Sequence, residues 1–307
     1  MLKFKQRARK LEKKDFDIDD TEFYIKDFIA AESVTMIYSG SNQGKTWLSL
    51  AISHEIISTD NSLDELIYFD LDNGRRNIKK RKLQPFLDKH PKWGYYIGSN
   101  MDMKKEELLQ VLSDDCYNMN YKNKVLVFDS ARDFTDTESN KKAKEFMQIM
   151  KKIRDNGGTV IVIHHSTKNG KAIDGSGDFE KSADNLFYLE QKNRTGNILQ
   201  LLLHMKKDRD DVFHCAFKID SSMLSISPMD EKLAMMSEYE EKFVNKGKKA
   251  LEKNPNGLSQ TALLEYIGYE KTDKVARDTL DKFVDEFWHK HQQKKGASIT
   301  YTAITTK

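Results

Sequence analysis

The chain has 307 residues, long enough for one full-sized core plus a small domain. Apolar residues make up 38%, charged residues 32%, and the formal net charge is +3; this composition excludes fibrous, low-complexity and membrane-spanning classes and describes a globular chain with a heavily solvated surface. The two cysteines, Cys116 and Cys215, lie far apart in sequence and do not form a disulfide framework, and no Cys/His group has zinc spacing.

The N-terminus carries no apolar leader, and runs such as Val160–Ile163 are far too short to cross a bilayer, so a reducing, cytoplasmic setting without a membrane partner is expected. Residues 1–22 read as a basic arm. Its stretch Lys3–Lys10 suits contact with nucleic acid or a neighbouring subunit, or simple solvation.

Residues 23–230 read as the core. Short β-branched or aromatic runs at Val34–Tyr38, Leu66–Phe69, Tyr95–Ile97, Val125–Phe128 and Thr159–Ile163 predict strands. Helical spacing over Lys45–Ile57, Asn77–Lys89, Lys104–Ser113 and Lys141–Asp155 predicts helices between them. Continuous apolar strands alternating with helices predict an α/β fold: a mostly parallel sheet covered on both faces. Ile198–His204, Val212–Ile219 and Met223–Ser227 then predict antiparallel strands that extend this sheet.

Residues 231–253 are expected to form a charged helical linker. Residues 254–307 have the order of a winged helix. The break Asn254–Gly257 precedes a helix capped by Ser259, with Ala262, Leu263, Tyr266 and Ile267 on one face. A second helix carries Ala276, Leu280, Phe283, Val284 and Phe287, and a turn at 292–296 leads to a strand over Ser298–Ile304.

The segment Ser39-Gly40-Ser41-Asn42-Gln43-Gly44-Lys45-Thr46 follows a strand and opens a helix. Small residues let the backbone wrap around phosphate oxygens, and successive N–H groups at a helix N-terminus supply positive potential. Ser41 through Trp47 are therefore the candidate nucleotide-binding residues. Lys45 is assigned to the β- and γ-phosphates and Thr46 to Mg²⁺, with ATP as the expected ligand. Ser39 stands where this motif usually has glycine. Val125–Phe128 predicts a central strand that delivers Asp129 to its C-terminal end, where a carboxylate holds a Mg²⁺-bound water beside Thr46.

On these motifs the chain resembles the RecA-like ATPases, within them the hexameric helicase branch that includes DnaB-type and plasmid RepA-type proteins. The resemblance covers about residues 24–225. It implies a catalytic carboxylate at Asp72 in Phe69-Asp70-Leu71-Asp72, where the family has Glu, with Asp70 as the alternative. It implies a γ-phosphate sensor at His165 and a flexible pore loop over Thr167–Asp178 that offers Lys168 and Lys171 to single-stranded DNA. Lys207 and Arg209 match a Lys-x-Arg pair that acts on the neighbouring subunit's nucleotide, so a homo-oligomer, expected as a hexamer, would share its active sites. Arg81 is a candidate for stacking on the base.

In the terminal module, Lys274 and Arg277 on the second helix and Lys294 and Lys295 at the wing are the candidate DNA contacts. Asp273, Asp278, Asp281, Asp285 and Glu286 would repel DNA along the later turns, and docking of a replication protein is the competing use. The leading expectation is an ATP-driven replicative helicase of a phage or mobile element that translocates on single-stranded DNA. A non-unwinding loader or recombinase and an ATP-switched winged-helix regulator are the alternatives.

Overall fold

A computed structural model describes residues 12, 21–118, 120–168, 170, 172–292 and 298–304. Most of the expected N-terminal arm, together with Lys171, Lys294 and Lys295, lies outside these residues. The described chain divides into a unit ending at Glu231 and a unit beginning at Lys232.

In the first unit, β1 (Phe23–Ile25) and β2 (Ile29–Ala30) form a short antiparallel pair. β3 (Val34–Ser39) leads through the phosphate loop into α1 (Lys45–Thr59). β4 (Glu65–Asp70) is followed by α2 (Arg75–Arg81) and α3 (Gln84–Lys89), then by β5 (Trp93–Ile97) and α4 (Lys105–Asn118). β6 (Lys124–Asp129), α5 (Ala131–Phe134), α6 (Asn140–Asp155), β7 (Thr159–His165) and α7 (Asp178–Ser182) come next. β8 (Asn185–Thr195), β9 (Ile198–Lys207), β10 (Cys215–Asp220) and β11 (Ser225–Pro228) complete the sheet.

The nine strands lie in the order β11-β10-β9-β8-β3-β7-β6-β4-β5. The six from β8 to β5 are parallel, and β9, β10 and β11 add on antiparallel. This is the expected RecA-like α/β fold. Its strands read as unbroken apolar runs because both faces are covered. Along β6, Val125 and Val127 enter the apolar cluster that includes Leu48 and Ile52 of α1, while Leu126 and Phe128 enter the cluster with Phe146 and Met150 of α6.

Three local expectations need correction. The single helix expected over Asn77–Lys89 is two, because Lys82 takes a left-handed backbone (φ 54°) and Pro85 starts the next helix. The strand β8, unmarked in the sequence reading, runs beside β3 in the sheet interior; its polar second half, Glu190–Thr195, hides the strand pattern. The loop Thr167–Asp178 is also less open than expected. Ser166 bridges to Ile173, and the Ser176 N–H donates to Thr137 O at 2.9 Å. Gly175 is required there: its φ is +82°, and a Cβ would sit 2.4 Å from Thr137 O.

The second unit has its own core. α8 (Glu231–Met235) begins at the boundary, followed by α9 (Glu238–Lys253), β12 (Leu258–Ser259), α10 (Gln260–Tyr266), α11 (Lys274–Lys282), β13 (Trp288–His291) and β14 (Thr300–Ala303). The strands form an antiparallel sheet in the order β12-β14-β13. The order of helices and hairpin is compatible with the winged-helix expectation. The segment expected as a linker is not one: Phe243, Val244, Ala250 and Leu251 of α9 are buried in this unit's core. Tyr266, expected on the buried face of α10, is exposed, and Leu264 is buried in that helix. Nor does the second helix reach Phe287. Asp285 is left-handed (φ 64°), and its N–H donates to Trp288 O at 2.8 Å, which turns the chain into β13.

Candidate functional site

Parallel strands bring their C-terminal ends to one edge, and ligands of such sheets bind there. At that edge a cleft of about 400 Å³ is lined by Ser41 through Trp47, Asp72, Asn73, Arg81, Asp129, Ser130, His165 and Arg194. All seven residues expected in the phosphate loop line it, as do the carboxylates Asp72 and Asp129 and the expected sensor His165.

The loop closes as its sequence requires. Gly44 has a φ of +85°, a conformation that favours glycine, and it starts α1. Ser39 substitutes for glycine without strain because it is the buried last residue of β3 and its backbone is extended. The Lys45 ammonium donates to Gly40 O (2.7 Å), Ser39 O (2.9 Å) and Ser39 Oγ (3.3 Å). Burial pulls the Lys45 pKa down to about 8, against the opposing pull of Asp129. Gln43 Oε1 accepts from the Gln191 N–H at 3.0 Å, which ties the loop to β8.

Asp129 is almost fully buried. Burial and then the neighbouring Asp70 push its pKa up to about 6, and hydrogen bonds from Tyr68 and Thr46 oppose this. The Tyr68 hydroxyl donates to Asp129 Oδ2 at 2.9 Å and lies 2.7 Å from Ser49 Oγ on α1. Thr46 and Asp129 thus place a hydroxyl and a carboxylate side by side next to the phosphate loop. Hard oxygen donors of this kind, with phosphate oxygens and waters completing the shell, suit Mg²⁺. Among the described residues no group of three or more His, Cys, Asp or Glu forms a separate metal cluster.

Asp70 and Asp72 have different surroundings. Asp70 is fully buried and its oxygens are occupied. Oδ2 accepts from Tyr95 (2.6 Å) and Arg81 (2.9 Å), and Oδ1 accepts from the Asn73 backbone (3.1 Å) and side chain (2.8 Å). Asp72 is exposed at the cleft wall, where a carboxylate can reach water. Asp72→Asn should lower hydrolysis on the order of a hundredfold or more while nucleotide affinity stays within about threefold. Asp70→Asn should instead lower the melting temperature. Single-turnover hydrolysis and equilibrium nucleotide binding check the pair, and equal activity of Asp72→Asn and wild type would reject this assignment.

Arg81 is not placed for stacking on a base, since its guanidinium is held by Asp70 with only 16% of its side chain exposed. The two histidines of β7 point to opposite sides. His164 is buried against Phe179 (4.5 Å) and accepts the His165 N–H on Nδ1, and burial pulls its pKa down to about 3. His165 is half-buried at the cleft, its pKa lowered by burial and then by Lys45 and Arg132.

Lys207 and Arg209 are not brought to this cleft. They lie by the N-terminal end of β8, at the opposite edge of the sheet. The Lys207 ammonium donates to the carbonyls of Glu180, Lys181 and Ala183. Arg209, with half its side chain exposed, pairs with Asp184, which also receives Arg154 and the Val34 N–H. Lys168 is exposed in the turn after β7, and Lys274 and Arg277 are exposed on α11.

Sequence reasoning missed Asn73, Ser130 and Arg194 in the cleft lining, and Tyr68 and Tyr95 beside it. Tyr68 and Tyr95 orient the carboxylates and read as ordinary strand aromatics. Arg194 reaches the cleft from the end of β8, beyond a register shift between Gln191 and Asn193. The turn Gly196-Asn197 marks that hairpin in the sequence, but the bulge that precedes Arg194 has no sequence signal.

Residues 4–171, more than half of the chain, match the family model AAA_25, described as an AAA domain. No curated protein matches the chain. Among the described residues no helix is long and apolar enough to cross a membrane. With a phosphate loop, a buried Asp129 beside Thr46 and a RecA-like sheet behind them, the chain belongs to the AAA_25 family of P-loop ATPases.

Proposed function

We propose that the protein is a ring-forming, ATP-driven motor on single-stranded DNA, a replicative helicase of the DnaB/RepA type from a phage or mobile element. The observation that carries this reading is the division of catalytic groups between two edges of one sheet. Lys45, Thr46, Asp72, Asp129 and His165 converge at the C-terminal edge, and Arg209 lies half-exposed at the other. In one subunit these groups do not meet, and a neighbour in a ring brings an arginine to the nucleotide.

Thr46 and Asp129 would hold Mg²⁺, which supplies charge neutralisation at the phosphates. Lys45 neutralises the β- and γ-phosphate oxygens, and Asp72 orients the attacking water. His165 reads the γ-phosphate and passes its state to the turn that carries Lys168. Arg209 of a neighbour meets the charge that develops as the γ-phosphate leaves, and Lys207 braces the strand end beside it.

In the second unit we read a winged helix. The exposed start of α11, with Lys274 and Arg277, would contact duplex DNA or a replication protein.

The test is the ATPase rate with and without single-stranded DNA, with the mass of the nucleotide-bound oligomer. Stimulation of about tenfold or more and a ring of several subunits are expected. Mixing inactive Arg209→Ala subunits with inactive Lys45→Ala subunits should restore part of the activity, because one mixed interface keeps both groups intact. An Arg209→Ala oligomer that hydrolyses ATP at the wild-type rate would remove the shared site, and a monomer at saturating nucleotide would remove the ring.

A further inference from the structure

From Arg75 to Lys82 six of eight residues are Arg or Lys, and no Asp or Glu lies between Asp72 and Asp88. At 100° per residue, Ile78 and Arg81 share one side of α2. Ile78 packs on the core, and Arg81 reaches Asp70. Arg75, Arg76, Lys79 and Lys80 fill the opposite side and are exposed, as is Lys82 at the helix end. Arg75 donates to Asn100 Oδ1; among the described residues, none of these five cations has a carboxylate partner.

Helix stability explains only part of this pattern: Lys79 and Lys80 stand in the last turn, where the helix dipole favours cations. Arg75 and Arg76 stand in the first turn, where the helix dipole disfavours cations, and no acidic residue offsets them. Arg75–Lys79 and Arg76–Lys80 are like-charge pairs at i,i+4, which destabilise a helix. A bound polyanion removes both penalties. The exposed face carries no aromatic or aliphatic anchor of the kind that dominates protein–protein contacts, and cations alone suffice for a phosphate backbone.

We infer that the outer face of α2 is a binding surface for the phosphate backbone of single-stranded nucleic acid. This rests on the motor reading above, and it assigns a contact that reading does not include. The face is about 10 Å long at 1.5 Å per residue, so it suits a flexible strand that can curl its phosphates around one short helix. The inner side of the same helix holds Asp70 through Arg81, and the loop 71–74 directly before it carries Asp72. A strand drawn onto α2 therefore bears on the carboxylate that orients water, which couples nucleic-acid binding to hydrolysis.

The experiment uses the full chain with Arg76→Ala, Lys79→Ala and Lys80→Ala combined. All three side chains are exposed and outside the cleft, and alanine favours the helix. With a labelled thymidine single strand of about 30 nucleotides, binding should weaken about tenfold, and the slope of log K against log salt should fall by about 2. Stimulation of the ATPase should be lost while the unstimulated rate is unchanged. Wild-type binding and stimulation in the triple variant would overturn the inference and leave the motor reading standing. A wild-type protein that neither binds nor responds to the strand would sink both. Two competition outcomes also overturn the inference: equal competition by polyglutamate of matched charge reassigns the face to an acidic protein, and equal competition by a duplex reassigns it to double-stranded DNA.

Discussion

Asp129→Asn should abolish steady-state hydrolysis, by on the order of a thousandfold, and at the same time make the nucleotide-free protein more stable. The first effect follows from loss of the carboxylate that would hold Mg²⁺ beside Thr46, a contribution of several kcal/mol to the transition state. The second follows from burial. Asp129 is 5% exposed with its pKa raised to about 6, from 3.8 in an unfolded chain. The folded state therefore binds the proton more tightly than the unfolded state. Stability from this group is highest below pH 3.8, falls as pH rises through the window to about 6, and stays low above it. At 1.36 kcal/mol per unit the penalty at pH 7 is on the order of 3 kcal/mol.

Asparagine carries no charge and its amide oxygen still accepts from Tyr68, so the variant escapes the penalty. Denaturant unfolding without nucleotide or divalent metal should show Asp129→Asn more stable at pH 7.5 and the two proteins converging toward pH 4. A variant less stable than wild type at pH 7.5 would mean that attraction to Lys45 and Arg81 outweighs burial, contrary to this account.

Trp288→Ala should unfold the second unit while leaving the ATP site intact. Trp288 is fully buried, its ring fills the space beside Gly247, and its Nε1–H donates to Leu280 O at 2.9 Å. A Cβ on Gly247 would lie 2.8 Å from the ring, so the two residues are fitted to each other. Removing a buried tryptophan costs about 3–5 kcal/mol in transfer and cavity terms. A unit running from Lys232 to Lys307 has a total stability on the order of 4–11 kcal/mol at typical values per residue. The substitution therefore consumes much of what holds that unit folded. Calorimetry should show one transition moved down or lost while a second, nucleotide-sensitive transition stays. Limited proteolysis should trim the chain after about residue 231, leaving a fragment that binds nucleotide. A uniform small shift of a single transition would show that the two cores do not melt independently.

The phosphate loop was legible in the sequence because its chemistry is contiguous. Small residues, a lysine and a hydroxyl in one turn between strand and helix leave little freedom. Asp129 was legible for a similar reason: four apolar residues bound for a sheet interior deliver the next residue to the sheet's edge. Local sequence does not separate Asp72 from Asp70. That separation depends on Arg81 and Tyr95, which reach Asp70 from a following helix and an adjacent strand. The role of the helix over 231–253, linker or brace, is open in the sequence for a comparable reason. Its Phe243, Val244, Ala250 and Leu251 lie on one stripe, but only the packing of α10, α11 and β14 shows that the stripe is core. Strand β8 escaped notice because half of it is polar, and its place beside β3 is decided by pairing between distant segments.

By itself the sequence determined a phosphate loop with Lys45 and Thr46, a mostly parallel α/β sheet and Asp129 at a strand end, since periodicity and local spacing carry those features; the RecA-like character was implied by the resemblance. Tertiary structure alone decided the rest. It buried Asp70 and exposed Asp72, turned His164 inward and His165 toward the cleft, brought Arg194 in past a bulge, set Lys207 and Arg209 at the far edge, and left one face of α2 as cations with no carboxylate partner among the described residues. These outcomes depend on strand order and on which face each side chain meets, and neither is a property of neighbouring residues.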